Sequence, residues 1–118
     1  MGSTDLVSSP AETIAALGAL ADPVRLAVVS ALAEGEQCVC DLREQVPVAE
    51  NLLSYHLRVL RQAGLVATAR RGRWVDYRLD GEGFSLLWAS LAAAGVPLPG
   101  EPVATGRARP ACEDGRPA

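Results

Sequence analysis

One proline with a helical segment on either side constrains this chain more than any other feature. The stretch "CVCDLREQV" reads as a short helix of ambiguous start, closed by Pro47. From Val48 to Ala63, Leu52, Leu53, Leu57 and Leu60 recur at helical spacing, and Gly64 ends the run. A turn of only three or four residues separates the two. That is the spacing of a helix-turn-helix, whose second helix enters the major groove of DNA while the first braces it against the backbone.

The flanking sequence extends this reading. "LVATARRGRWVDYRLD" alternates Val66 and Thr68, then Trp74 or Val75, Tyr77 and Leu79, around a polar tip from Arg70 to Arg73 that contains a glycine. It predicts a hairpin. A helix-turn-helix followed by a basic-tipped hairpin is a winged helix, so the expected fold is mainly α with a β-hairpin wing (α+β). Upstream, Ser9 and Pro10 open one helix carrying Ile14, Leu17 and Leu20, and Asp22 and Pro23 open a second that ends at Gly35. Downstream, "EGFSLLWASLAAAG" is an apolar helix with Phe84, Leu87, Trp88 and Leu91. At 118 residues the chain accommodates one core, and its first and last apolar helices are assigned to a homodimer interface. The expected organisation is a flexible arm over 1–8, the winged domain over 9–95, and a Pro/Gly-rich tail over 96–118.

A net charge of -3 taken as a sum opposes a nucleic-acid partner, but the charge is unevenly placed. Between Asn51 and Leu79, Arg58, Arg61, Arg70, Arg71, Arg73 and Arg78 face a single acid, Asp76. The segment is +5 and the rest of the chain -8. Every cation is an arginine, whose forked guanidinium suits phosphate and guanine. Double-stranded DNA is the expected partner. In the second helix Glu50, Asn51, Ser54, Tyr55 and His56 are the polar candidates for the groove, with Arg58 and Arg61 positioning the helix on the backbone. Arg70, Arg71 and Arg73 of the wing are placed to reach phosphates or the minor groove.

No run approaches the roughly 18 apolar residues of a membrane span, and the first residues carry neither a basic nor an apolar export region. A cytoplasmic location with no membrane partner is expected. There, free thiols outlast disulfides, and Cys38 and Cys40 are too close in sequence for an easy structural bridge. In a regular helix, residues two apart point about 200° away from each other, whereas in extended chain they share a side. Two thiolates converging on one soft ion would therefore hold the start of this helix in non-helical form. The expected switch is deformation of the first helix of the DNA-reading pair, with loss of the DNA-competent placement of the second. An oxidant-sensing role for the same cysteines is the alternative. No C-x-x-C pair or glycine-rich cofactor loop is present, so neither an enzyme nor an organic cofactor is expected.

The pieces "ALADPVRLAVVSAL", "CVCDL", "LLSYHLRVLRQAGLV" and "RRGRWVDYRL" occur in that order over about two thirds of the chain. Together they resemble the ArsR/SmtB family of metal- and metalloid-responsive repressors. The resemblance implies a homodimer that binds a palindromic operator and releases it when an inducer ion binds. Arsenic-responsive members often read CVCDLC, but here Arg43 takes the place of the third cysteine. Cys112 of the tail is the candidate third ligand beside Cys38 and Cys40. Arsenite or antimonite is the first expectation for the inducer, with mercury, cadmium or lead behind it. Another family site uses acid and histidine ligands on the last helix, and is expected to be absent because that helix has no histidine.

Overall fold

The computed structural model describes residues 9–106. Five helices and three short strands follow one another: α1 (Pro10–Leu20), α2 (Pro23–Leu32), β1 (Gln37–Cys38), α3 (Val39–Gln45), α4 (Glu50–Gln62), β2 (Val66–Arg71), β3 (Trp74–Leu79) and α5 (Gly81–Ala93). The local signals act where the sequence places them. The Ser9 hydroxyl accepts from the Glu12 N–H at 3.2 Å, and the Glu12 carboxylate accepts from the Ser9 N–H at 3.1 Å, closing a capping box on α1. The Asp22 carboxylate accepts from the amides of Val24 (2.8 Å) and Arg25 (3.1 Å), which caps α2.

Residues 46–49 form the turn between α3 and α4, so the helix-turn-helix stands as expected, with α4 starting at Glu50 rather than Val48. Leu53, Leu57 and Leu60 of α4 are essentially inaccessible and meet Val28 and Leu32 of α2, Leu42 of α3, and Leu65 and Val66 in one core. The hairpin is tighter than its sequence suggests. Arg70 pairs with Val75 and Arg71 with Trp74, leaving a tip of two residues, Gly72 and Arg73. Gly72 has a φ of 62°, the left-handed conformation that two-residue hairpin turns demand at their first central position. β1 is an element that no periodicity marks. Its two residues pair antiparallel with β3, Gln37 opposite Tyr77 and Cys38 opposite Asp76, giving the sheet order β1-β3-β2. The whole is a winged helix-turn-helix.

Two further features position α1 and α5. At Gly83 the N-terminal turn of α5 crosses the α4–β2 connection so closely that a Cβ there would lie 1.7 Å from the carbonyl oxygen of Gly64. α1 and α5 pack together yet leave Ile14, Leu17, Leu86 and Trp88 between 38% and 68% exposed, too much apolar surface for a finished core. Among the described residues no single helix is long and apolar enough to cross a membrane. Residues 96–106 carry no helix or strand; the arm over 1–8 and Cys112 lie outside the described residues.

Candidate nucleic-acid interface and thiol site

The 3.6-residue period divides α4 into two faces. Glu50, Asn51, Ser54, Tyr55, Arg58 and Arg61 are all exposed and form one stripe, opposite the buried leucines. The Arg58 guanidinium lies 5.7 Å from the centroid of the Tyr55 ring, a cation–π contact on the exposed face. Glu50 sits 3.5 Å from Arg43, so an exposed ion pair spans the turn between the helices. Ser54, Arg58 and Arg61 also line a small cleft with Tyr77 of β3, where the helix meets the wing.

His56 departs from the expectation that it faces the groove. Three residues after Leu53 and four before Leu60, it falls on the apolar stripe and is only 6% exposed. Its Nδ1 lies 3.0 Å from Nη1 of Arg25 in α2. A guanidinium can only donate, so Nδ1 accepts and the imidazole carries its proton on Nε2. Arg25 also donates from Nε to the Ala19 carbonyl at 2.7 Å and from Nη2 to that of Gly18 at 3.4 Å. This one side chain ties the open end of α1 to the middle of α4. Sequence reasoning missed Arg25; the signal that was available is the position of His56 on the leucine spacing, which requires a buried partner.

The wing arginines differ from one another. Arg70 donates to the Gly72 carbonyl at 3.5 Å, within its own hairpin. Arg71 is a clamp, donating from Nε and Nη2 to the two carboxylate oxygens of Asp76 at 2.8 and 3.2 Å. The guanidinium holds the Asp76 carboxyl below the usual carboxylate range, and Asp76 raises Arg71 in return. Arg73, at the tip, is exposed and makes no hydrogen bond or ion pair with any described residue.

Both box cysteines are free thiols that straddle an element boundary. Cys38 is half-buried in β1, with φ -83° and ψ 169°, and stands at the N-cap of α3 without bonding its amides. Cys40 is exposed in the first turn of α3, above a shallow depression lined by Arg43, Glu44, Pro47 and Val48. The change from extended to helical backbone between the two sulfurs means that the intervening turn is not an ideal helix. Their donor set fits a thiophilic ion of low coordination number. Among the described residues no three His, Cys, Asp or Glu side chains gather as a larger ligand set.

A winged helix-turn-helix with a polar reading stripe and a basic wing defines a class of DNA-binding regulators. Residues 22–68 match the family of bacterial regulatory proteins named arsR, and the chain belongs to it. Over 61 residues it is 52% identical to a transcriptional repressor SmtB homolog of Synechocystis, covering 52% of this chain and 46% of that protein. Over 62 residues it is 46% identical to the arsenical resistance operon repressor of Escherichia coli, covering 52% and 53%. The chain thus spans about half the length of these relatives. Its fold matches the homodimeric winged helix-turn-helix DNA-binding domain of a possible ArsR-family regulator from Mycobacterium bovis, with a TM-score of 0.59 at 28% identity over 71% of this chain and 78% of that one.

Proposed function

We propose that this protein is a transcriptional repressor that binds operator DNA as a homodimer and lets it go when a thiophilic ion, arsenite or antimonite first, binds Cys38 and Cys40, with Cys112 as third ligand. It acts in the cytoplasm and performs no catalysis. The observation that carries the reading is the position of the two free thiols, one on each side of the start of α3, directly ahead of the reading helix. The exposed stripe of α4 would enter the major groove, with Asn51 and Ser54 addressing bases and Tyr55, Arg58 and Arg61 the backbone. Arg70, Arg71 and Arg73 would hold phosphates beside it. The exposed apolar faces of α1 and α5 supply the surface a second copy would cover, in keeping with the homodimeric assembly of the Mycobacterium bovis relative.

Arsenite is a neutral trihydroxide at neutral pH, and each thiol that binds it releases one water, its proton leaving with an arsenic hydroxyl. Two such exchanges leave one arsenic hydroxyl in place; a third thiol, from Cys112, would replace it. Mercury needs only two thiolates, whereas cadmium and lead draw further ligands. To empty an operator the ion must favour the released state by several kcal/mol, within reach of two or three metal–sulfur bonds.

The test is a gel-shift titration on the DNA upstream of the gene, with arsenite, antimonite, mercury, cadmium and lead, on the wild type, Cys38→Ser and Cys40→Ser. Wild type should release DNA with arsenite or antimonite at the lowest concentration, and both variants should bind DNA yet fail to release it. Release that survives in both variants would refute the thiol assignment. Release by peroxide alone, reversed by a thiol reductant, would establish the oxidant-sensing alternative.

A further inference from the structure

The thiol-bearing segment is built into the wing more firmly than into the reading helix. α3 packs chiefly on α2, β1 and β3, whereas α4 packs chiefly on α1, α2 and β2. Between α3 and α4 themselves, beyond the turn, stand Leu42, which shares the core with the α4 leucines, and the exposed Arg43–Glu50 pair; exposed pairs of this kind contribute little. β1 is different. Cys38 is opposite Asp76 in an antiparallel register, so the two side chains leave the same face of the sheet with Cβ atoms about 5 Å apart. On β3 the alternate residues Tyr77 and Leu79 pack against the core, which puts Asp76 and Cys38 on the outer face. Asp76 is nevertheless only 7% exposed, because β1 and the Arg71 clamp cover it.

We infer that the release signal leaves the thiol site through the wing, with Asp76 and Arg71 as the coupling residues. This rests on the reading of Cys38 as an ion ligand. An arsenic atom on the Cys38 sulfur adds a bulky group against a carboxylate that is already nine-tenths covered, in a space closed by the Arg71 guanidinium. The two-residue β1 is the shortest strand of the sheet, held to β3 by the fewest pairings. Either β1 parts from β3, or Asp76 turns away and the clamp on Arg71 opens. Both outcomes remove the wing arginines from the placement they hold beside the reading helix, and the DNA loses phosphate contacts in the wing while α4 keeps its packing. The sensor is then a third strand of the wing, and α3 is its anchor.

The coupling can be read without relying on DNA release alone. Trp74 pairs with Arg71 across the hairpin and is half exposed, so it reports on the clamp. In full-length protein labelled with 5-fluorotryptophan, the Trp74 fluorine resonance, assigned with Trp74→Phe, should move on saturation with arsenite and stay still in Cys38→Ser. In parallel, the ratio of operator dissociation constants with and without arsenite is measured for wild type and Asp76→Asn, with bound arsenic counted in each. Asp76→Asn should bind arsenic with wild-type stoichiometry while that ratio falls at least tenfold. A wild-type ratio in arsenic-loaded Asp76→Asn would overturn the coupling, as would a stationary Trp74 resonance in arsenic-loaded wild type should the variant fail to fold. If wild-type protein binds no arsenic, the assignment of the thiols fails and the inference falls with it, an outcome distinguishable from both of these.

Discussion

Arg73 is the wing cation on which the proposed DNA interface can be tested most cleanly. It stands at the hairpin tip, exposed and without a partner among the described residues, so its removal disturbs nothing else in the fold. A homodimer carries two copies. If each neutralises one phosphate, Arg73→Ala lowers the slope of log affinity against log salt by about 0.9 per copy, hence about 1.8 per dimer. Raising salt from about 50 to 200 mM is a fourfold change, and four to the power 1.8 is roughly 12, so wild-type affinity should fall roughly 12-fold further than that of the variant. The measurement is fluorescence anisotropy on a labelled operator duplex and on an unrelated duplex, across that range. Both duplexes should show the loss, because a phosphate contact carries no sequence information. Equal slopes for variant and wild type would remove the wing tip from the interface. Arg71→Ala is a poorer probe, since it also strips Asp76 of its guanidinium.

Further outcomes follow from the packing and from the ion pair in the wing. Gly83→Ala should destabilise the protein by about 2 kcal/mol, lowering the melting temperature on the order of 10 °C, because the new methyl meets the Gly64 carbonyl rather than a movable side chain. Gly81→Ala, which faces open space, should leave stability unchanged or raise it by up to about 1 kcal/mol in the same thermal melts; a stable Gly83→Ala would mean that α5 does not approach so closely. Arg25→Ala should cost about 2 kcal/mol and weaken operator binding, as it releases α4 from α1, and denaturant melts with anisotropy would show both; normal DNA affinity in a destabilised variant would limit Arg25 to stability. The Asp76 carboxyl is depressed by Arg71, so the clamp stabilises at pH values above the unfolded carboxylate value and is lost as pH falls through the lower folded value. Carboxyl-carbon NMR should find Asp76 titrating below the ordinary aspartate range, and returning towards it in Arg71→Ala.

Much of this molecule is governed by short-range rules. Ser9, Asp22 and the prolines that follow them start α1 and α2 because capping needs only three or four neighbouring residues. The 46–49 turn and the hairpin were legible for the same reason, and so was the stripe from Asn51 to Arg61, which the helical period dictates. The boundary inside the cysteine box was legible only as an ambiguity, and it proved to be the start of α3 itself. His56 was misdirected by its chemistry: a polar side chain suggests the groove, while its place in the leucine spacing sends it inward.

What the linear chain determined by itself was the kind of machine, two helices and a basic hairpin with soft sulfur ahead of them, since periods, caps and turn lengths are written locally. Tertiary structure alone decided the pairings between distant residues: Arg25 with His56, Gly83 against Gly64, and Cys38 beside Asp76. Those partners lie roughly 20 to 40 residues apart, and a two-residue strand has too few positions to show a period. Only the closing of the core brings such groups within reach of a hydrogen bond or a carbonyl.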